Sequence, residues 1–180
     1  MRHLLAITAL ALLNIPVATS NPAVTASEDL FKQALAAQRG NDHRRAREIL
    51  QLLAVAGHPR AQSLLGFLYL FDNPEQARHW LERAAKAGDR DAQFNLGNLY
   101  RNGRGGPVDY GRALYWFARA ANAGDESAQL ALGELYEEGL GVRADRTQAR
   151  HWYEKAAGQE EDEDVKAFAQ EALRRLDGKE

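Results

Sequence analysis

The sequence predicts an all-α fold, a right-handed α-solenoid of about four helix-pair repeats that ends in a C-terminal cap helix. The only three tryptophans, Trp80, Trp116 and Trp152, stand 36 residues apart (116 − 80 and 152 − 116). The same spacing of apolar residues surrounds each of them, and a fixed period of this length is typical of stacked helical repeats. Alanine is abundant and β-branched residues are few, which favours helices over strands.

The second helix of each repeat, which we call helix B, is predicted from an apolar stripe at positions i, i+3, i+4, i+7 and i+8. The stripe occurs four times and starts at an alanine each time, at Ala46, Ala77, Ala113 and Ala149. Four residues before each alanine stands a residue type that caps helix N-termini well, namely Asp42, Asn73, Asp109 and Asp145. These caps predict where each helix B begins.

The first helix of the repeat, helix A, is predicted from the pattern A-x-x-x-L-G-x-x-Y. It occurs at residues 61–69, 92–100 and 128–136. Glycine within a helix costs about 1 kcal/mol relative to alanine. Because Gly66, Gly97 and Gly133 recur at the same position of the pattern, we expect a close approach between helices there.

These motifs resemble the Sel1-like repeat family, a branch of the tetratricopeptide-like α-solenoids. Residues 128–157 carry nearly the whole family pattern, and residues 92–124 carry most of it. Residues 61–88 keep both helices but lack five residues of the loop between them, and residues 28–57 are degenerate. The resemblance implies a repeat domain over residues 27–177, with repeats at about 28–57, 58–88, 91–124 and 127–158.

Both ends of the chain have their own patterns. A last apolar stripe predicts the cap helix at residues 164–176 and consists of Val165, Phe168, Ala169, Ala172, Leu173 and Leu176. A basic start, a ten-residue apolar run at 4–13 and small residues after Pro16 predict a signal peptide over residues 1–20. Cleavage fits after Ser20 or after Ala26, and residues 21–26 are expected to be a flexible leader. The apolar run is shorter than the ~20 residues that a membrane span needs.

These patterns predict a periplasmic or secreted protein with no stable membrane insertion after cleavage.

Composition excludes several function classes. The formal net charge is −2, which does not fit a nucleic-acid-binding protein. The chain has no cysteine, so neither a disulfide nor a thiolate nucleophile can form. The five histidines lack metal-ligand spacing, and the glycine-rich residues 103–106 are not followed by the lysine of a phosphate loop. We expect no catalytic residue, no metal and no cofactor.

The acidic run at residues 160–164 has two interpretations. The simpler one is a solvated turn whose charge favours the N-terminus of the cap helix. The alternative is a weak calcium site, although the spacing and glycine of a calcium loop are missing.

The family resemblance implies that the A helices line a concave groove that binds a protein or peptide partner. The groove positions would be Ser63, Phe67, Leu70, Phe71, Phe94, Asn98, Arg101, Leu130, Glu134 and Glu137. Phe67, Phe71, Phe94 and Leu130 are apolar and are not needed for the predicted packing of A against B, and exposed apolar patches tend to mark binding sites. We therefore expect an exported adaptor or scaffold.

Two alternatives concern this groove. A cell-envelope glycan or peptidoglycan fragment could bind there, because Phe94 and Asn98 would place an aromatic ring beside an amide. The leader at residues 21–26, or a neighbouring helix, could instead cover the apolar positions.

Overall fold

The structure, a computed structural model, describes residues 22–159 and 162–178. In these ranges it contains nine α-helices and no strand. The helices are α1 (Pro22–Arg39), α2 (His43–Val55), α3 (Pro59–Tyr69), α4 (Pro74–Lys86), α5 (Arg90–Asn102), α6 (Tyr110–Asn122), α7 (Glu126–Glu138), α8 (Arg146–Ala157) and α9 (Glu163–Leu176). The signal peptide predicted at 1–20 lies outside the described residues, as do Glu160 and Glu161 of the acidic run.

Each helix packs against the next along the chain, and α3 contacts α5 while α7 contacts α9. Helices α1, α3, α5 and α7 take the position of helix A, and α2, α4, α6 and α8 that of helix B. Helix α9 packs on α8 and α7 as α5 packs on α4 and α3, so the cap occupies the helix A position of a further repeat. The predicted all-α solenoid is confirmed.

The stripes of helix B form the core. In α6 the five stripe residues, which include Trp116 and Phe117, are all buried. Each predicted N-cap residue accepts a hydrogen bond from a backbone N–H of the first turn through its side-chain oxygen. These bonds satisfy donors that a helix N-terminus otherwise leaves unpaired.

The glycines of helix A are required by close packing, as expected. A Cβ atom on Gly66 would lie 2.6 Å from Leu81 Cγ, and one on Gly97 would lie 2.6 Å from the Phe117 ring. At Gly133 the corresponding distance to the Tyr153 ring is 2.3 Å. In these three repeats a large side chain of helix B therefore lies against the bare backbone of helix A.

A buried glutamine joins each repeat to the one before it. The side-chain amides of Gln62, Gln93 and Gln129 donate to the carbonyls of residues 54, 85 and 121, over 2.9, 3.1 and 3.2 Å respectively. All three glutamines are buried. Each of these carbonyls lies near the C-terminal end of the preceding helix B and also accepts from a glycine N–H of the following turn, so the glutamine amide is an additional donor from the next repeat.

Two details at the ends of the chain differ from expectation. Helix α1 begins at Pro22, so residues 22–26 are helical rather than a flexible leader. No proline or glycine interrupts residues 23–39, and Phe31 and Ala34 bury themselves in the core, so the helix can extend back from that contact.

In α9 the buried residues are Val165, Ala169, Ala172 and Leu176, whereas Phe168 is exposed. The burial follows i, i+4, i+7 and i+11, and Phe168 lies at the edge of that stripe. Asp162, from the acidic run, caps α9 through its side chain. No described helix is long and apolar enough to span a membrane.

Candidate functional site

A cavity of about 270 Å³ opens between the helices α1, α3 and α5. It is lined by Phe31, Leu35, Arg60, Ser63, Leu64, Phe67, Asp89, Asp91 and Asn95. All three helices occupy the helix A position of successive repeats, so the cavity lies on the face where a groove was expected. We call it the A-face cavity. Ser63 and Phe67 are the two predicted groove residues that line it.

The apolar side of the A-face cavity centres on Phe67, whose side chain is 50% exposed. Leu35 and Leu64 are half-buried and line the same space. Phe31 is buried beneath, with its ring stacked on His58 at 4.9 Å between centroids and the Arg60 guanidinium 4.7 Å from its centre. The lining therefore combines a buried aromatic residue, Phe31, with a half-exposed one, Phe67.

The polar wall of the cavity is formed by the N-cap residue and the first turn of α5. Asp89 caps this helix by accepting from the Ala92 N–H at 2.8 Å. The same carboxylate oxygen, Oδ1, accepts from the Ser63 hydroxyl, also at 2.8 Å. Asp91 is exposed beside it, and its ion pair with Arg90 is long, at 3.6 Å. The lining therefore offers one cation, Arg60, and two carboxylates for recognition of polar groups.

Three predicted groove residues take part in the packing: Leu70 is buried, whereas Phe94 and Leu130 are half-buried. Leu70 is buried in the central core. The Phe94 ring packs on Phe117 at 5.9 Å between centroids, because Phe117 crosses the bare backbone of Gly97 and reaches the neighbouring turn. Leu130 packs against the contact between α8 and the cap helix.

The charged groove positions link neighbouring A helices to each other. Arg101 of α5 pairs with Glu134 of α7 at 2.8 Å. Glu137 of α7 accepts from Arg175 of α9 and from the Tyr153 hydroxyl, each at 2.7 Å. The Arg175 hydrogen bond is the main reason that the pKa of Glu137 is lowered, while burial raises the pKa of Tyr153. This part of the face already has its charges paired within the chain.

The two remaining predicted residues lie outside the cavity lining. Phe71 follows α3 and is 77% exposed, with the Arg104 guanidinium 5.2 Å from its ring centre. Asn98 on α5 is half-buried. Of the predicted groove residues, the exposed apolar ones, Phe67 and Phe71, therefore lie on α3 or just after it.

Comparison with known proteins identifies the repeat. Three consecutive segments, residues 59–89, 90–125 and 126–160, match the model of the Sel1 repeat. The chain belongs to the Sel1 repeat family. Sel1 repeat proteins generally mediate protein–protein interactions. No curated protein matches the chain by sequence comparison.

Several solved structures are similar to this chain. One is c5321 of uropathogenic Escherichia coli, a protective antigen with an SLR fold, at 31% identity and a TM-score of 0.75 over 86% of this chain. Another is a Sel1 repeat protein of Oxalobacter formigenes, at 26% identity and a TM-score of 0.69 over 83%. This chain spans 34% and 51% of those two chains. Helicobacter pylori cysteine rich protein B has 26% identity and a TM-score of 0.51, and the match covers 66% of this chain and 93% of that one.

Sequence reasoning missed the part of the cavity that lies outside the clear Sel1 repeats. Phe31 and Leu35 belong to α1, whose sequence lacks the Leu-Gly-Tyr pattern of helix A. Their i, i+4 spacing was the available signal, since it places both on one helix face. Asp89 and Asp91 were missed because the family pattern does not specify those positions.

Proposed function

We propose that this Sel1 repeat protein is an exported, non-enzymatic adaptor that binds a protein or peptide segment in the A-face cavity, within the bacterial cell envelope. The observation that carries the proposal is Phe67, a half-exposed phenylalanine beside a cavity with apolar and charged walls. Exposed aromatic residues in such settings are typical anchors of protein interfaces.

The A-face cavity is small, at about 270 Å³, and open to solvent. That space suits one or two side chains of a larger partner. Arg60, Asn95 and Asp91 stand where they can pair with the backbone or charged groups of such a segment.

The geometry favours a protein partner over a glycan. The glycan alternative depended on Phe94 offering an open ring next to Asn98. That ring packs on Phe117 and is half-buried, so the Phe94–Asn98 pair gives the glycan alternative less support. Phe67, which is open, has a carboxylate-rich neighbourhood with a single amide lining residue, Asn95.

The groove assignment is tested by comparing substitutions of two aromatic residues whose side chains have nearly equal exposure. Phe67→Ala should weaken binding of a purified partner by more than tenfold, because truncating a buried interface anchor commonly costs about 2 kcal/mol or more. Tyr115→Ala is the matched control, since Tyr115 is 52% exposed on α6, a helix B. Titration calorimetry would measure both affinities, and circular dichroism would check helicity. Equal losses for the two variants, or a loss for Tyr115→Ala alone, would contradict the assignment.

Export is supported by the signal pattern at residues 1–20 and agrees with a relative that is a protective antigen, since such antigens are met by antibodies. N-terminal sequencing of protein from the cell envelope should begin at Asn21, because cleavage after Ser20 leaves α1 whole. A start at Ser27 would still support export but would remove the first five residues of α1. Intact Met1 in the cytosol would contradict export.

A further inference from the structure

The loops between helices A and B close on the same hydrogen bond in three repeats. The N–H of the helix B cap donates to the carbonyl of the helix A tyrosine at 2.9 Å for Asn73 and Tyr69, for Asp109 and Tyr100, and for Asp145 and Tyr136. Between these anchors lie residues 101–108 and 137–144 in the later repeats but only residues 70–72 in the earlier one. The loop of the earlier repeat is therefore five residues shorter, although the same hydrogen bond closes it; we call the five extra residues of the later loops the bulge.

In the later repeats this bulge covers the first turn of the preceding helix B. A Cβ on Gly105 would lie 2.3 Å from the Pro74 carbonyl oxygen, at the start of α4. A Cβ on Gly141, at the same loop position, would lie 2.5 Å from the Tyr110 carbonyl, at the start of α6. Both glycines have positive φ, so backbone conformation as well as contact requires glycine there. The loop thus seals the N-terminal end of α4 and of α6.

The first turn of α2 has no such cover, because the loop that would reach it is the short one. His43 and Arg44 start α2 as Pro74 and Glu75 start α4. A cavity of about 740 Å³ opens at this place. It is lined by His43, Arg44, Arg47, Glu48, Gln51, Tyr69, Asn73 and Gln76. We call it the loop-vacancy cavity, and it shares no lining residue with the A-face cavity.

The equivalent place in the next repeat shows which groups contact the arginine there. There Arg78 lies over the Tyr100 ring at 5.4 Å, and Gly106 of the long loop packs against its guanidinium. Glu82 accepts from the Tyr100 hydroxyl at 2.7 Å and lies 3.9 Å from Arg78. A peptide backbone and a carboxylate therefore surround this arginine.

Around the loop-vacancy cavity the long loop is absent, and no carboxylate stands at the position of Glu82. Arg47 lies over the Tyr69 ring at 5.5 Å, as Arg78 does over Tyr100. Gln51 stands where the next repeat has Glu82, so the carboxylate is replaced by a neutral amide. Arg44 adds a second guanidinium, against the single lining carboxylate of Glu48. Arg47 also pairs with Asp72 at 3.9 Å, the same distance as Arg78 to Glu82, but the Asp72 side chain is 75% exposed whereas that of Glu82 is 33% exposed, so the Arg47 pair contributes little.

We propose that the loop-vacancy cavity binds a glycine-containing, acidic peptide turn of a partner protein, which takes the place of the missing loop. The backbone of the turn packs on the first turn of α2, and its carboxylate pairs with Arg47 and Arg44. Arginine suits this role because its planar donors match a carboxylate in two-point contacts. The site is separate from the A-face cavity and independent of the function proposed for it.

The test uses the acetylated peptide Glu-Gly-Leu-Gly-Val-Arg-Ala-Asp, which is the sequence of residues 138–145. It is titrated into the full repeat domain while amide and tyrosine-ring NMR shifts are followed. We expect saturable shifts at His43, Arg44, Arg47 and Tyr69. A peptide with Gln and Asn in place of the Glu and Asp should bind at least tenfold more weakly, because each carboxylate contact is charge-assisted.

Two variants locate the site. Inserting Gly-Arg-Gly-Gly-Pro, the sequence of residues 103–107, between Phe71 and Asp72 restores the loop length and should abolish the shifts. Arg47→Gln should weaken binding at least tenfold, since it removes a charge-assisted pair. Arg78→Gln is the matched control, because the chain's own loop already covers that position, and it should bind as wild type does. Thermal melts check that every variant is folded.

The outcomes separate this inference from the proposed function. Phe67→Ala should leave peptide binding unchanged, so a failure at one cavity does not imply failure at the other. Saturable binding that the insertion and Arg47→Gln both remove supports the inference. Three results would each overturn the inference. They are resonances that do not shift at millimolar peptide, undiminished peptide binding by the insertion variant, and shifts that appear only when glucuronic acid, a sugar with a carboxylate, replaces the peptide.

Discussion

Trp116→Ala should lower the free energy of unfolding by about 3–5 kcal/mol, the usual cost of truncating a large aromatic residue in a core. Trp116 is 8% exposed and belongs to the central core cluster together with residues from the neighbouring helices. In a stack of repeats each interface supports its neighbours, so a cavity in the central repeat weakens the contacts on both sides. Urea unfolding followed by circular dichroism measures the change.

Tyr115→Ala is the control for Trp116→Ala. Tyr115 is the adjacent residue of α6 and lies edge-on to the Trp116 ring, but more than half of its side chain is exposed. We expect its substitution to cost less than about 1 kcal/mol, as exposed positions usually do. An unfolding curve of Trp116→Ala that overlays that of the wild type would contradict the placement of the tryptophan stripe in the core.

Gly133→Ala should destabilise the protein by about 1–3 kcal/mol, the usual cost of overpacking a core. The added Cβ would lie 2.3 Å from the Tyr153 ring. That ring is fully buried, and its hydroxyl donates to Glu137 at 2.7 Å, so it cannot move aside without losing the bond. The steric cost therefore exceeds the ~1 kcal/mol that alanine gains over glycine within a helix.

Gly111→Ala tests the same substitution without the close contact. Gly111 is exposed in the first turn of α6, and the nearest atom to an added Cβ is 3.5 Å away. Here the helix preference of alanine should raise stability by less than about 1 kcal/mol. Opposite signs for Gly111→Ala and Gly133→Ala in chemical unfolding are the expected result. A Gly133→Ala variant at least as stable as wild type would show that α7 and α8 are not in the contact described.

The repeat architecture could be predicted because local chemistry repeats with it. The tryptophan stripes, the N-caps and the helix A glycines each give the same signal several times, and the structure confirms them. The packing of Phe94 and Leu130 could not be predicted in this way. Their burial depends on how far Phe117 and the cap helix reach, and that distance exists only in the assembled fold.

The two cavities illustrate the same limit. The five missing loop residues are visible in the sequence, but the space that they leave is known only once Gly105 and Gly141 are seen against the neighbouring helices. The A-face cavity depends on α1, which lacks the repeat pattern and so gave no position for Phe31 or Leu35. Pattern-based prediction is least informative where a repeat departs from the family pattern, as residues 28–57 and the short loop at 70–72 do. These segments border both cavities.

The central claim is that partners bind on the A helices at Phe67. It is tested most directly by placing a photo-crosslinking amino acid at position 67 or at position 115 and irradiating cells that produce the protein. The two positions have nearly equal exposure but lie on a helix A and a helix B. We expect a discrete crosslinked partner band from position 67 and none from position 115. A partner band from position 115 with none from position 67 would contradict the account.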